Sequence, residues 1–536
     1  MRSFLKKYGG CILLLLLAVL FLSLPAGYEN EAFAKGAFLT AFVSSIAWTI
    51  LAFYLMRDYR VMKVLFFTVI FILFALETAV YLRFGSRVDA NIITLLMQTD
   101  WAETREFIAA YLLNWKTLCT FLCIIGVYCL LIHVIKKIHI KCLIQSKLYR
   151  ALSLPVLIIG LALPYLSIPT TMGKNPIVGI CDAIQFVRNS HDDVDQFVSM
   201  IDKIEIYSDS CKHQSPTIVL VIGESFNKHR SSLYGYALPT NPLLSKEKNL
   251  VLFTQAKTPV CYTSGAMRYI FSLKSCDLGG ADSAQYVLFP AVFRKASFKV
   301  AYFDNQYTRS RGGEADYGCS YFFSPKYIND HCFDLRNETL EEFDGDFIST
   351  YKSQFLKSGA SLNLIHLKGQ HFQAMRRYPL DFAYFTVGDI QRNDLDDSEK
   401  QRMVEYDNAT RYNDYVMRMI LDEFRNDDAV VIYFSDHGEN IFDGKGHRYG
   451  RNIGELSDEE SAYNVRQIPF MIWCSDTFIH HRPEMYHAIR QASELPVCID
   501  DVAYLLFDLG YIDFNYHQPE RSLVNSQYHP HQTAME

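Results

Sequence analysis

The sequence predicts two kinds of structure in one chain. An α-helical transmembrane domain of five spans occupies residues 1–169, and an α/β domain with a mostly parallel sheet flanked by helices occupies 215–536. Three observations predict this. Apolar segments long enough to cross a bilayer, which takes about 20 residues, crowd the first third of the chain. Further on, short β-branched and aromatic runs alternate with helical patterns, as βα units do around a parallel sheet. Two of those runs stop at metal-ligating side chains, Glu224 and Asp436-His437, at the strand edge where such sheets bind ligands.

The chain has 536 residues, so more than one domain is expected. Half of the residues are hydrophobic, and the net charge is −6. There is no basic footprint, so nucleic acid is not expected as a partner. A monomer is expected.

The five spans are Cys11–Pro25, Ala37–Met56, Met62–Phe84, Thr117–Ile135 and Ala151–Ile168. Arg2, Lys6 and Lys7 precede the first, and Arg57, Arg60 and Lys63 fill the loop between the second and third. Lys136, Lys137, Lys141, Lys147 and Arg150 surround the loop before the last. These basic clusters belong on the cytoplasmic side, and an odd number of spans then carries the remainder outside. With its basic start and Ala32-Phe-Ala34, the first span also reads as a cleavable signal peptide, which leaves four spans and the same outside location. Residues 170–214 form a connector with helical periodicity (Val194, Phe197, Val198, Ile201, Ile204). It reads either as an amphipathic helix at the membrane surface or as an ordinary packing helix.

From Pro216 the strand-like runs are Ile218–Ile222, Val251–Phe253, Lys299–Phe303, Asn363–Leu367, Val430–Phe434 and Phe470–Trp473. Met403–Phe424 is the clearest amphipathic helix, and a polar tail follows residue 517. Of the 13 cysteines, Cys181, Cys211, Cys261, Cys276, Cys319, Cys332, Cys474 and Cys498 fall in the outer part. An even number in an oxidising compartment favours disulfides, with Cys319–Cys332 and Cys261–Cys276 as the sequence-local pairs. No C-x-x-C occurs there, so a thiolate zinc site is not expected.

Glu224, Asp436 and His437 supply two hard oxygens and a nitrogen, a donor set suited to zinc with one position left open. Alone, Asp436-His437 also reads as a strand-end turn with a helix cap. A nucleophile is offered by Thr258-Pro-Val-Cys-Tyr-Thr-Ser-Gly265, where a loop gives way to a helical pattern. Thr263 stands at the helix N-terminus, where metal coordination acidifies a hydroxyl and the helix dipole favours a phosphate. Equally, Thr263 or Ser264 could serve only as the helix cap. His371 and His447 lie in polar loops, as a general acid, as ligands of a second metal, or as plain surface residues.

Together these segments resemble the phosphoethanolamine transferases, membrane-anchored members of the alkaline phosphatase and sulfatase superfamily. Gly223-Glu-Ser-Phe-Asn-Lys-His-Arg-Ser-Ser-Leu-Tyr-Gly-Tyr236 and Pro239-Thr-Asn-Pro242 look like that family's first signature. The later ones follow in order: His371 before Arg377-Tyr-Pro379, Tyr406-Asp-Asn408, Ser435-Asp-His-Gly-Glu439 with His447, and Ile468-Pro-Phe470. Gln98-Thr-Asp-Trp-Ala-Glu103 is similar to a periplasmic loop motif.

The resemblance implies an alkaline phosphatase/sulfatase-like domain in the periplasm, held by a multi-pass anchor in a bacterial inner membrane. It implies Thr263 as nucleophile, and Glu224, Thr263, Asp436 and His437 as ligands of one Zn2+. His371 and His447 match positions that bind the substrate phosphate or a second zinc, and Glu103 one that handles substrate. The implied reaction moves phosphoethanolamine from phosphatidylethanolamine through a phosphoethanolamine-threonine intermediate to lipid A, lipopolysaccharide core or another envelope glycan. The anchor suits a lipid donor. Tyr262-Thr-Ser-Gly265 and Arg268-Tyr269 depart from the Thr-Glu-Thr and Pro-Cys usual in the lipid A branch, and Leu95 stands where an Asn is usual. The departures bear on the acceptor rather than on the chemistry.

Three rivals differ at named residues. A sulfatase-like hydrolase needs a C-x-P-x-R-like motif, but Cys261 is followed by Tyr-Thr-Ser-Gly. A phosphoglycerol transferase of the lipoteichoic-acid type would share anchor and threonine, and Ser232-Leu-Tyr-Gly-Tyr236 argues against it. A non-catalytic sensor would not need the complete set of nucleophile and ligands.

Overall fold

The computed structural model describes residues 2–27, 37–56, 59–84, 88, 115–138, 149, 151, 153–159, 162, 176–177, 180–181, 194–207, 215–277, 283–306, 321–323, 325–357, 359–371, 373–443, 449–450 and 459–530. The chain divides into two compact units, the first running over Met1–His191 and the second beginning at Asp192.

In the first unit, helices cover Arg2–Ser23, Ala37–Met56, Arg60–Phe84 and Trp115–Lys137. Each coincides with one of the first four predicted spans. Among the described residues, Phe38–Met56 and Arg60–Val80 are long and apolar enough to cross a membrane, and Tyr8–Ser23 is a shorter apolar helix. That makes two candidate spans rather than five by length and composition. Half of the predicted fifth, Ala151–Ile168, lies outside the described residues. Polar residues within the spans bond back along their own helix: Ser45 Oγ donates to the Ala41 carbonyl (2.7 Å) and Thr49 Oγ1 to that of Ser45 (2.8 Å). This is how a hydroxyl is tolerated where no water can serve it.

The second unit is built on a seven-stranded sheet. Its strands are β1 (Thr217–Gly223), β2 (Leu250–Phe253), β4 (Lys299–Asp304), β5 (Leu335–Arg336), β6 (Ser361–His366), β7 (Ala429–Ser435) and β8 (Phe470–Cys474). β3 (Ala256–Lys257) and β9 (Val497–Cys498) pair separately. The order is β2-β8-β7-β1-β6-β4-β5. β7, β1, β6, β4 and β5 run parallel, while β8 pairs antiparallel with both β7 and β2. Every predicted strand is present. The two-residue strands β3, β5 and β9 carry too short a pattern to be read from sequence.

The strand runs are continuously apolar because both faces of the sheet are covered. Ile218, Leu220 and Ile222 of β1 face one core with Val430, Ile432 and Phe434 of β7. Val219, Val221, Val431 and Tyr433 face the other. On the first side pack the Thr263–Phe271 and Val502–Leu509 helices, and also Phe197, Met200, Ile201 and Ile204. Between residues 194 and 204 the apolar stripe of the connector therefore packs into the α/β unit, whereas Ile177 packs against the helices of the first unit. On the second side lies the helix Asp397–Phe424, through Met403, Ala409, Val416, Ile420 and Phe424. It starts six residues before its apolar stripe, at a capping box. Asp396 accepts from the Glu399 amide (2.8 Å), and Glu399 Oε2 accepts from that of Asp396 (2.9 Å).

No disulfide joins the described cysteines. Cys319 lies outside the described residues. The sulfur beside Cys276 is that of Cys498, a neighbour no local spacing announces. Cys332 and Cys474 are buried, and burial pushes both thiols far up.

Candidate metal centre and nucleophile

β1 and β7 are neighbours in register, Gly223 opposite Ser435, so Glu224 and Asp436 leave the sheet side by side at its C-terminal edge. Glu224, Asp436 and His437 are fully buried, and their ligating atoms lie within 4.8 Å of one another. His437 Nε2 is 3.2 Å from both Glu224 Oε1 and Asp436 Oδ2. On the other side of the ring, Nδ1 is 2.9 Å from the Gly438 carbonyl. That contact assigns the proton to Nδ1 and aims the Nε2 lone pair at the carboxylates.

Asp436 does two jobs with two oxygens. Oδ1 accepts from the amides of Ser225 (3.1 Å) and His437 (2.7 Å), which is the strand-end turn, while Oδ2 faces His437 Nε2. The strand-end turn is present without the helix cap, and the second oxygen stays turned toward His437.

Thr263 is the first residue of its helix, and the cap position is Tyr262, whose side chain makes no capping bond. The helix-cap role is thereby excluded for Thr263 and Ser264. Instead the Thr263 hydroxyl lies 3.1 Å and 3.3 Å from the two Glu224 oxygens and 3.4 Å from His437 Nε2. Thr263 thereby stands at a helix N-terminus, a position favourable for a phosphate.

Two buried carboxylates, a buried imidazole and a hydroxyl converging in this way fit a divalent cation of the zinc type. Without an added positive charge, the paired anions carry an uncompensated desolvation cost.

The loop after β1 is held in a strained form. Ser225 has φ 56°, in the left-handed region that costs a non-glycine residue about 1 kcal/mol or more. Its hydroxyl donates to Glu224 Oε1 at 2.7 Å. The buried Tyr406 hydroxyl donates to the Ser225 carbonyl (2.5 Å) and accepts from the Asn227 amide (2.7 Å). Gly369 (φ 49°) approaches so closely that a Cβ there would stand 2.8 Å from the backbone of Glu224.

The Tyr406-Asp-Asn408 motif thus explains itself, because each residue pins a different loop. Asp407 holds Arg230 in a buried two-point ion pair (2.5 and 2.9 Å), and burial raises its carboxyl to about 6. Asn408 Oδ1 accepts from the amides of Tyr384 and Phe385, both at 2.8 Å. Replacing Tyr406 by Phe is expected to destabilise the protein by about 1–3 kcal/mol, since two backbone groups lose a buried partner. Transfer should slow while the metal content is retained. Thermal unfolding together with metal analysis of the purified variant checks this.

Sequence reading missed a neighbouring cluster. Asp304 and His366 end β4 and β6 in adjacent register, with His366 Nδ1 3.0 Å from Asp304 Oδ1. Burial works to lower the imidazole, but the Asp304 carboxylate lifts it above its ordinary range; burial likewise raises Asp304, and His366 holds it below. The Gln306 amide nitrogen links them to the site, 3.2 Å from Glu224 Oε2, 2.8 Å from the Leu367 carbonyl and 3.0 Å from His366 Nε2. The available signal was the one that exposed Glu224, a polar side chain closing an apolar strand.

His371 sits on the turn after β6, one residue beyond Gln370, whose amide donates to the Glu224 carbonyl (3.0 Å). His447 and Glu103 lie outside the described residues.

The chain belongs to the sulfatase family, whose profile matches residues 216–510. Within that family it is similar to the phosphoethanolamine transferases, which upholds the resemblance carried by the motifs. It is 24% identical over 494 residues to phosphoethanolamine transferase EptC of Escherichia coli, covering 84% of this chain and 79% of the relative. Among solved structures, the integral membrane lipooligosaccharide phosphoethanolamine transferase A (EptA) of Neisseria meningitidis aligns with TM-score 0.63 at 17% identity, over 95% of this chain and 97% of that one. The periplasmic domain of E. coli EptC, in complex with Zn, aligns with TM-score 0.51 at 24% identity, over 60% of this chain and 90% of that one. The likeness to the Neisseria meningitidis structure extends over 95% of this chain, so the helical N-terminal part shares in that fold.

Proposed function

We propose that this chain transfers phosphoethanolamine from phosphatidylethanolamine to an envelope glycolipid or glycan, at a zinc site facing the periplasm. The observation that carries it is the Thr263 hydroxyl set among Glu224, Asp436 and His437 at the mouth of a helix. The relatives support the transferred group, and a multi-pass anchor of five spans suits a donor that never leaves the bilayer.

Glu224, Thr263, Asp436 and His437 would hold the metal. When bound, zinc would supply positive charge that lowers the pKa of a coordinated hydroxyl and neutralises a phosphate. Glu224 and His437 both lie within reach of the Thr263 proton and orient its oxygen. In the first step the Thr263 oxygen forms a bond to phosphorus, the bond from phosphorus to diacylglycerol breaks, and diacylglycerol leaves with a proton. In the second, an acceptor hydroxyl or phosphate oxygen attacks the same phosphorus and gives up its proton, and Thr263 is released and reprotonated. Amides at the helix N-terminus steady the phosphoryl oxygens. His371 and His447 manage protons or hold the phosphate or a second zinc, and Glu103 handles the lipid substrate.

The test uses the purified chain with head-group-labelled phosphatidylethanolamine and extracted envelope glycolipids. Label should pass to the glycolipid with one diacylglycerol formed per transfer. Transfer of glycerol phosphate instead, or release of free phosphoethanolamine alone, would overturn the reading.

A further inference from the structure

Cys276 lies beyond the Thr263–Phe271 helix and Cys498 in β9, far apart in the sequence. Their sulfurs lie within 4.8 Å of each other and of an Asp500 carboxylate oxygen. Asp500 Oδ2 accepts the Cys276 amide at 2.9 Å and so fixes the backbone at the first cysteine. Cys498 is fully buried, while Cys276 keeps some exposure.

Two thiols and a carboxylate are also a metal-ligand set. Here, however, the buried Arg521 guanidinium lies 3.4 Å from Asp500 Oδ2 and 2.7 Å from Asp501. The carboxylate already answers to a fixed cation, and a second cation beside it would be repelled.

We propose that Cys276 and Cys498 are joined by a disulfide that locks the nucleophile-bearing segment in place. The register gives the reason. β3 pairs with β9 so that Lys257 stands opposite Cys498. The stretch from Lys257 through Thr263 to Cys276 therefore meets Cys498 at its start, by strand pairing, and at its end, through sulfur. A bond there closes a ring around Thr263 and limits how far the helix can drift from Glu224.

Oxidation needs an acceptor, here the disulfide of a thiol–disulfide oxidoreductase. The Cys276 thiolate attacks it, forming a mixed disulfide and releasing one of its thiols, and Cys498 then displaces the other. The pair loses two protons and two electrons, and the oxidoreductase becomes a dithiol. Burial raises the Cys498 thiol well above its ordinary range, so the bond belongs to folding and serves as structure rather than as a switch.

The inference rests on the periplasmic placement proposed above. The full chain is purified from membranes with thiols blocked by alkylation, digested without reductant, and analysed by mass spectrometry. A linked Cys276–Cys498 peptide that vanishes on reduction is expected. Cys276→Ser, Cys498→Ser and the double variant should share one lowered Tm, equal to that of the reduced parent and insensitive to reductant. Alkylated Cys276 and Cys498, linkage of Cys276 to another cysteine, or a double variant clearly less stable than either single one would overturn the proposal. Protease treatment of spheroplasts separates the two readings. If the catalytic unit is digested while both thiols are alkylated, only the disulfide fails; if the unit is protected, the placement fails.

Discussion

Thr263→Ala is expected to abolish formation of the phosphoethanolamine adduct and to lower transfer by roughly 10³-fold or more, about 4 kcal/mol of barrier. The loss should be chemical rather than structural. The helix cap is Tyr262, so alanine at the first helical position removes no capping bond, and the hydroxyl bonds only within the site. Unfolding should stay close to that of the parent protein. Thr263→Ser keeps an oxygen at the same point and should retain the adduct at a reduced rate. Peptide mass spectrometry after incubation with phosphatidylethanolamine, together with the rate of diacylglycerol release, reads both effects. An adduct on another residue, or diacylglycerol release unchanged in the alanine variant, would rule out the assignment.

Asp436→Asn is the sharpest probe of the metal. The asparagine oxygen can keep the bonds from the Ser225 and His437 amides, while the second oxygen, the one facing His437, becomes an amide without charge. The fold should survive and the zinc should not. Affinity is expected to fall more than ~100-fold, beyond the range that loss of a group merely supporting a ligand costs. The measurement is zinc per chain after dialysis, which does not depend on turnover. Chelation of the parent protein should remove activity, and added zinc should restore it. Wild-type zinc content in Asp436→Asn would sink the assignment.

Much of this site was legible because strand ends are legible. A short, β-branched apolar run bounded by polar residues reads as a strand covered on both faces, and the polar residue that stops it stands at the edge where the sheet opens. That argument found Glu224 and Asp436-His437. Applied as strictly to β4 and β6, it would also have found Asp304 and His366. The two-residue strands were beyond it, and so was the start of the Asp397–Phe424 helix, whose first turns carry no apolar stripe.

The sequence by itself determined the separation into an apolar helical part and an α/β part, the six main strands, and the chemistry on offer at two strand ends. Those are local properties, written in periodicity and composition. Only the tertiary structure decided what meets what. It put Thr263 against Glu224 and His437 instead of leaving it as a cap. It also set β1 beside β7, and it brought Cys276 to Cys498. Such pairings depend on strand order and on the closing of long loops, and no spacing along the chain encodes them. The buried carboxylates meet only at that assembled edge, where strand register sets Glu224 beside Asp436 and His437 and a separate helix adds the Thr263 hydroxyl.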